Sequence, residues 1–156
     1  MKKWMLGWLM LCLIAARTTA AVTVGELRCE SRQNPLGLDE PQSQLSWIIK
    51  SDQRNEVQTG YQILVASTPE LLAANQGDLW DSGKMASDAT AQVEYAGVKL
   101  PSREQCFWKV RVWDRAGQPS VWSQPASCGM CFLERRDCTA KWISDGLLGN
   151  PPNRPM

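Results

Sequence analysis

A two-residue alternation of apolar side chains, repeated in three separate stretches, most limits what this chain can become. Leu45, Trp47 and Ile49 fall on one side of an extended backbone, with Ser46, Ile48 and Lys50 on the other. Tyr61, Ile63 and Val65 alternate with Gln62, Leu64 and Ala66, and Trp108, Val110 and Val112 oppose Phe107, Lys109, Arg111 and Trp113. A period of two buries one side of each strand, whereas a helix needs an apolar stripe repeating every ~3.6 residues. Further strands are expected at Glu26–Glu30, Leu79–Asp81, Ala91–Tyr95 and Trp122–Ser127. Turn residues separate them at Asn34-Pro35-Leu36-Gly37, Asp81-Ser82-Gly83 and Asp114-Arg115-Ala116-Gly117. One helix is expected over Pro69–Ala74, because Ser67-Thr68-Pro69-Glu70 supplies a capping hydroxyl, a proline for the first turn and an acid; Asn75-Gln76-Gly77 stops it. The pattern predicts an all-β fold over residues 22–133, an immunoglobulin or fibronectin type III-like antiparallel sandwich of about seven strands with one short helical insertion. A single short helix cannot supply the crossovers of a parallel sheet.

The two ends read differently. Lys2-Lys3, an apolar run from Trp4 to Ala16, and small residues around Ala20 and Ala21 form a secretory signal peptide over residues 1–20. The run falls short of the roughly 20 residues that a membrane span needs. The expected product is exported, periplasmic or secreted, with no membrane association once the signal is cleaved. Residues 134–156 read as a linker and the start of a following module.

Charge and composition remove several functions. Seventeen basic residues face sixteen acidic ones, and setting aside Lys2, Lys3 and Arg17 of the leader leaves fourteen against sixteen. A weakly acidic body without a basic stripe argues against nucleic acid as a partner. The chain has no histidine, which excludes His-dependent nucleophile pairs, His-containing zinc sites and the commonest general base near neutral pH. No Gly-rich phosphate loop occurs, and Ser82 lies in no nucleophile elbow.

Cysteines, carboxylates and tryptophans remain as candidates. Cys29, Cys106, Cys128, Cys131 and Cys138 follow the leader, an odd set that leaves at least one thiol unpaired in a monomer. A Cys29–Cys106 bridge is one pairing open to an exported chain, and the Cys128-x-x-Cys131 spacing, with irregular partners, is a weak metal or redox signal. Asp39, Glu40, Asp52, Glu56, Asp78, Asp81 and Asp114 read as turn residues and caps rather than as catalytic acids. No catalytic, cofactor-binding or metal residue is assigned, and no cofactor is expected. Trp47 and Trp108 alternate with Leu, Ile and Val and belong in the core. Trp80, Trp113 and Trp122 are the candidates for contact with a neighbouring module or a glycan, with the stems of Lys109 and Arg111 covering rings on their own face.

Several of these segments together resemble a known family. Leu27-Arg28-Cys29-Glu30, Asn34-Pro35-Leu36-Gly37-Leu38-Asp39 and Leu45-Ser46-Trp47 resemble the opening of bacterial α-L-rhamnosidases. The likeness continues through Gln58-Thr59-Gly60-Tyr61-Gln62-Ile63-Leu64-Val65-Ala66-Ser67, Leu79-Trp80-Asp81-Ser82-Gly83-Lys84 and Phe107-Trp108-Lys109-Val110-Arg111-Val112-Trp113-Asp114, in matching order and spacing over about residues 26–145. It implies a fibronectin-type module that does not itself catalyse. In the family, further β-sandwich modules follow, one of which can bind sugar, and then a barrel of paired helices whose carboxylates hydrolyse terminal α-L-rhamnose with inversion. The expected role is therefore packing against downstream modules of a parent glycoside hydrolase, with this chain its leading piece, truncated before the barrel. The alternative is a stand-alone exported module that binds rhamnose-containing glycans. Cys106 departs from the pattern where an aromatic is usual, Cys128 to Cys131 replace a Trp-rich passage, and Cys138 stands where Trp is expected, which puts the last strand in question.

Overall fold

The computed structural model describes residues 22–137 and Thr139. The expected signal peptide, Cys138 and the segment 140–156 lie outside the described residues. The elements run β1 (Thr23–Cys29), β2 (Gln44–Lys50), β3 (Gly60–Ala66), α1 (Pro69–Ala73), β4 (Trp80–Asp81), β5 (Val93–Glu94), β6 (Gln105–Trp113) and β7 (Ala126–Gly129). The strands form two sheets, ordered β1-β2-β5 and β4-β3-β6-β7, and every strand pair is antiparallel. Among the described residues, no helix is long and apolar enough to cross a membrane.

The alternating side chains meet between the sheets. Leu45 and Trp47 from β2 face Ile63, Val65, Trp108, Val110 and Val112 from β3 and β6, all buried in one cluster. Trp47 packs edge-on to Tyr61 with ring centroids 5.2 Å apart. Each buried aromatic removes roughly 150–250 Å² from water, so these rings dominate the attraction between the sheets. Gln58 is drawn into the same layer. Its side-chain oxygen accepts from Trp47 Nε1 at 3.0 Å, and its nitrogen donates to the carbonyls of Ser87 and Ala89 at 3.1 and 2.8 Å. The buried amide thereby fixes the 87–89 loop with its own polar atoms satisfied.

One-sided burial fails at β3. Leu64 and Ala66, on its outer side, are buried under Leu72 of α1. A helix laid across the sheet turns a half-buried strand into a fully buried one. Thr68 caps α1 by accepting from Leu71 N, Pro69 opens it, and it ends one residue sooner than expected, followed by Asn75 at φ 59°.

Strand limits also differ from those expected. β1 begins at Thr23 rather than Glu26, and a bulge between Gly25 and Arg28 puts Glu26 at φ 52°. β5 keeps only Val93 and Glu94 of the expected Ala91–Tyr95, although Tyr95 N still bonds Ser43 O. The expected strand Trp122–Ser127 is displaced to Ala126–Gly129. Ahead of it, between Pro119 and Pro125, the hydroxyls of Ser120 and Ser123 accept from Val112 N and Val110 N, each at 3.1 Å. Prolines bracket this stretch, and serine hydroxyls take the place of ladder carbonyls there.

The final strand forms despite its cysteines. Cys106 and Cys128 sit directly opposite each other on β6 and β7, with Cα atoms 5.4 Å apart, and are disulfide-bonded. The Cys29–Cys106 pairing is therefore replaced: Cys29 is a buried free thiol, and Cys106 bonds its ladder partner. The outer edge of β7 is closed by the 34–38 segment. Ser127 N donates to Asn34 Oδ1, Gly129 N to Pro35 O, Leu38 N to Gly129 O, and Cys131 N to Leu38 O, at 2.8–3.0 Å. The turn-rich Asn34-Pro35-Leu36-Gly37 segment thus acts as an edge cover, satisfying groups that would otherwise template pairing with another chain.

Candidate functional site

The structure brings two of the three candidate tryptophans together and separates the third. Trp113 and Trp122 lie on the outer side of β6, where a file of cations and rings alternates. Lys84 Nζ stands 4.6 Å from the Trp113 ring centroid, and Arg111 lies 5.1 Å from Trp113 and 4.7 Å from Trp122. Lys109 Nζ closes the file 5.1 Å from Trp122. Arg111 is held in place by two bonds to Gln62 Oε1, at 3.0 and 2.7 Å, and Gln62 donates to Asp81 at 2.7 Å. The charged heads lie over the rings, and Trp113 is buried although it points away from the core.

Trp80 lies elsewhere. It pairs with Val65 in the β3–β4 ladder and so shares the inward side of the sheet, where it packs on the core. β4 and β5, with two residues each, are the short edge strands of the two sheets. Tyr95 meets the Trp80 ring edge-on at 5.4 Å and 84°. The Tyr95 hydroxyl donates to Val98 O at 2.7 Å, and burial, then the nearby Asp78 charge, push its pKa up to about 12. Gly97 permits the close approach, because a Cβ there would stand 2.5 Å from Leu79 O and 2.6 Å from the tyrosine oxygen. Outside Trp80 runs a groove of about 430 Å³ lined by Tyr61, Asp81, Met85, Gln92 and Glu94 among others.

A second concave region lies where the chain leaves the sandwich. The Ser102 hydroxyl bonds the Asp137 carboxylate and accepts from Leu133 N at 2.9 Å, while Glu134 N donates to Asp137 at 3.2 Å. This clasp, which sequence reasoning missed, pins the exit turn to the 101–103 loop. Beside it, a hollow of about 670 Å³ is lined by Asp39, Pro41, Lys99, Leu133 and Asp137, and it adjoins another of about 480 Å³ that shares Pro41 and Lys99.

The carboxylates work locally. Glu40, Glu56, Asp78, Asp81 and Asp114 each accept a backbone N–H from their own or a neighbouring turn. Asp78 also accepts from Ser67 Oγ at 2.6 Å, and these Ser67 bonds hold its pKa below the usual carboxylate value. Cys128 of the Cys128-x-x-Cys131 spacing is committed to Cys106, and Cys131 Sγ approaches Phe132 O at 3.4 Å. Among the described residues, no three His, Cys, Asp or Glu side chains gather as a metal site.

Comparison with known proteins gives a consistent result. The family described as Rha78A-like, N-terminal immunoglobulin domain matches residues 24–134. The chain is 45% identical over 111 residues to an α-L-rhamnosidase of Alteromonas sp. (strain LOR), a match covering 70% of this chain and 12% of that protein. The solved Streptomyces avermitilis α-L-rhamnosidase complexed with L-rhamnose superposes with a TM-score of 0.74 and 41% identity, over 80% of this chain and 12% of that one. An α-L-rhamnosidase from Dictyoglumus thermophilum gives a TM-score of 0.74 at 36% identity, covering 78% of this chain and 14% of its own. The chain thus spans about an eighth of the length of these relatives.

Proposed function

The chain belongs to the family of Rha78A-like, N-terminal immunoglobulin domains, and from that membership we propose that it is the non-catalytic leading module of an exported α-L-rhamnosidase. The parent activity is hydrolysis of terminal α-L-rhamnose from glycosides or polysaccharides. The module packs against the parts that follow and helps to place them. One observation carries the reading: the similarity takes in most of this chain but only 12% of the Alteromonas relative. A further feature supports it. The clasped exit turn gives a following module a fixed point of departure. Export rests on the leader pattern of residues 1–20.

Two measurements test the proposal. The purified chain, incubated with a chromogenic α-L-rhamnoside, is expected to release no chromophore, and turnover would overturn the non-catalytic assignment. In the Streptomyces avermitilis structure, the segment matching this chain is expected to bury more than about 1,000 Å² against the remainder. A segment standing free of the rest would overturn the packing role.

A further inference from the structure

The groove beside Trp80 has features the packing role does not use. Trp80 lines it, with Tyr95 packed edge-on against the indole at 5.4 Å. Its rim carries Asp81, Gln92 and Glu94, and Met85 and Tyr61 line it as well. Asp81 already accepts from Gln62 and Gly83 through Oδ1. Its other oxygen, the Glu94 carboxylate and the Gln92 amide oxygen are acceptors available at the rim. No lysine or arginine lines the groove. An indole in the lining suits a ligand with an apolar face, and a rim of acceptors without cations suits hydroxyl donors rather than a phosphate or carboxylate. Its volume, about 430 Å³, falls within the roughly 300–1,000 Å³ of small-molecule sites. Gln92 stands at the rim in the left-handed region at φ 56°, a conformation that residues other than glycine seldom adopt.

We propose that this groove between β4 and β5 is a binding subsite for a neutral pyranose, its C–H face on Trp80 and its hydroxyls on Asp81, Gln92 and Glu94. The other two candidate rings do not compete, because Lys84, Arg111 and Lys109 occupy the space over Trp113 and Trp122. The subsite goes beyond the packing role and does not depend on it, so its failure would leave that role standing.

The test is a titration of the purified chain with L-rhamnose, the sugar in the Streptomyces avermitilis complex, followed through the indole N–H resonances. The expected result is a saturable shift of the Trp80 signal with a Kd of about 1–10 mM. Glu94→Gln and Gln92→Ala, both exposed positions, should each weaken binding at least about threefold while leaving the remaining spectrum intact, and Trp122→Ala should bind as the parent chain does. No saturable shift up to about 100 mM would overturn the proposal. So would binding indifferent to both rim variants, or shifts confined to Trp113 and Trp122.

Discussion

The ammonium of Lys109, on β6, donates to the carbonyl oxygen of Leu72 at 2.6 Å, so a side chain from the sheet closes the end of helix α1. The same nitrogen donates to Asn75 Oδ1 at 2.7 Å. A helix of five residues is too short to hold itself together in water, and its last carbonyls need partners. Lys109→Met keeps most of the buried stem and removes the donor. We expect a loss of about 1–3 kcal/mol in urea unfolding, with the Trp122 fluorescence changing alongside. Unchanged stability would mean that packing of Leu72 alone secures the helix.

Stability should fall on the alkaline side. Burial raises the Cys29 thiol from 9.0 to about 11 and the Tyr95 hydroxyl from 10.0 to about 12. In both cases the folded state keeps a proton that the unfolded chain releases, so the contribution is whole below the lower value and lost as pH climbs through the higher one. Lys109 acts in the opposite sense, because burial lowers its pKa and the unfolded chain holds that proton more tightly. The Cys29 share is on the order of 2–3 kcal/mol. Urea midpoints measured in steps from pH 8 to pH 12 check this, with Cys29→Ala expected to flatten the early decline and Tyr95→Phe the later one. A Cys29→Ala profile as steep as the parent's would place the loss elsewhere.

The Cys106–Cys128 bond joins two neighbouring strands across a separation of 22 residues. Closing a loop of that size stabilises a chain by about 2–4 kcal/mol. Reductant should lower the melting temperature of the parent chain and leave the Cys106→Ala, Cys128→Ala double variant unmoved. Peptide mapping under non-reducing conditions should recover residues 106 and 128 linked, and linkage of either to Cys29 would contradict this arrangement.

Ser102 and Asp137 govern how firmly the exit turn is held. Arg136 lies exposed within that turn, paired with Glu134. Cleavage there by trypsin requires the turn to open. Ser102→Ala should raise the initial cleavage rate after Arg136 about tenfold, the equivalent of roughly 1.4 kcal/mol of lost local stability. Equal rates in the two chains would show that the turn opens without breaking the clasp.

What could be read from the residues in advance was whatever local periodicity controls. The core of β2, β3 and β6 follows from alternation alone, and α1 from the Thr68-Pro69 start. What escaped depends on partners distant in sequence. Leu64 and Ala66 are buried because α1 folds back over them, and no period-two pattern records that. Ser120 and Ser123 accept ladder bonds only because β6 lies alongside. The Cys106–Cys128 bond depends on the register of β6 against β7, and cysteine spacing does not specify register. Among the tryptophans, alternation separated Trp47 and Trp108 from Trp113 and put Arg111 and Lys109 over the outward rings, yet it did not place Trp80, whose inward side follows from its pairing with Val65 across the β3–β4 ladder.

The 34–38 segment runs parallel to β7, and β7 is the last strand before the exit turn. A pull applied between the 34–38 segment and the exit would drag these two segments lengthwise past each other. The bonds of Asn34, Pro35 and Leu38 to Ser127, Gly129 and Cys131 would then carry the load together instead of opening one at a time. With β6 gripping the other side of β7 and a disulfide inside that ladder, the junction is built to transmit tension rather than to stretch.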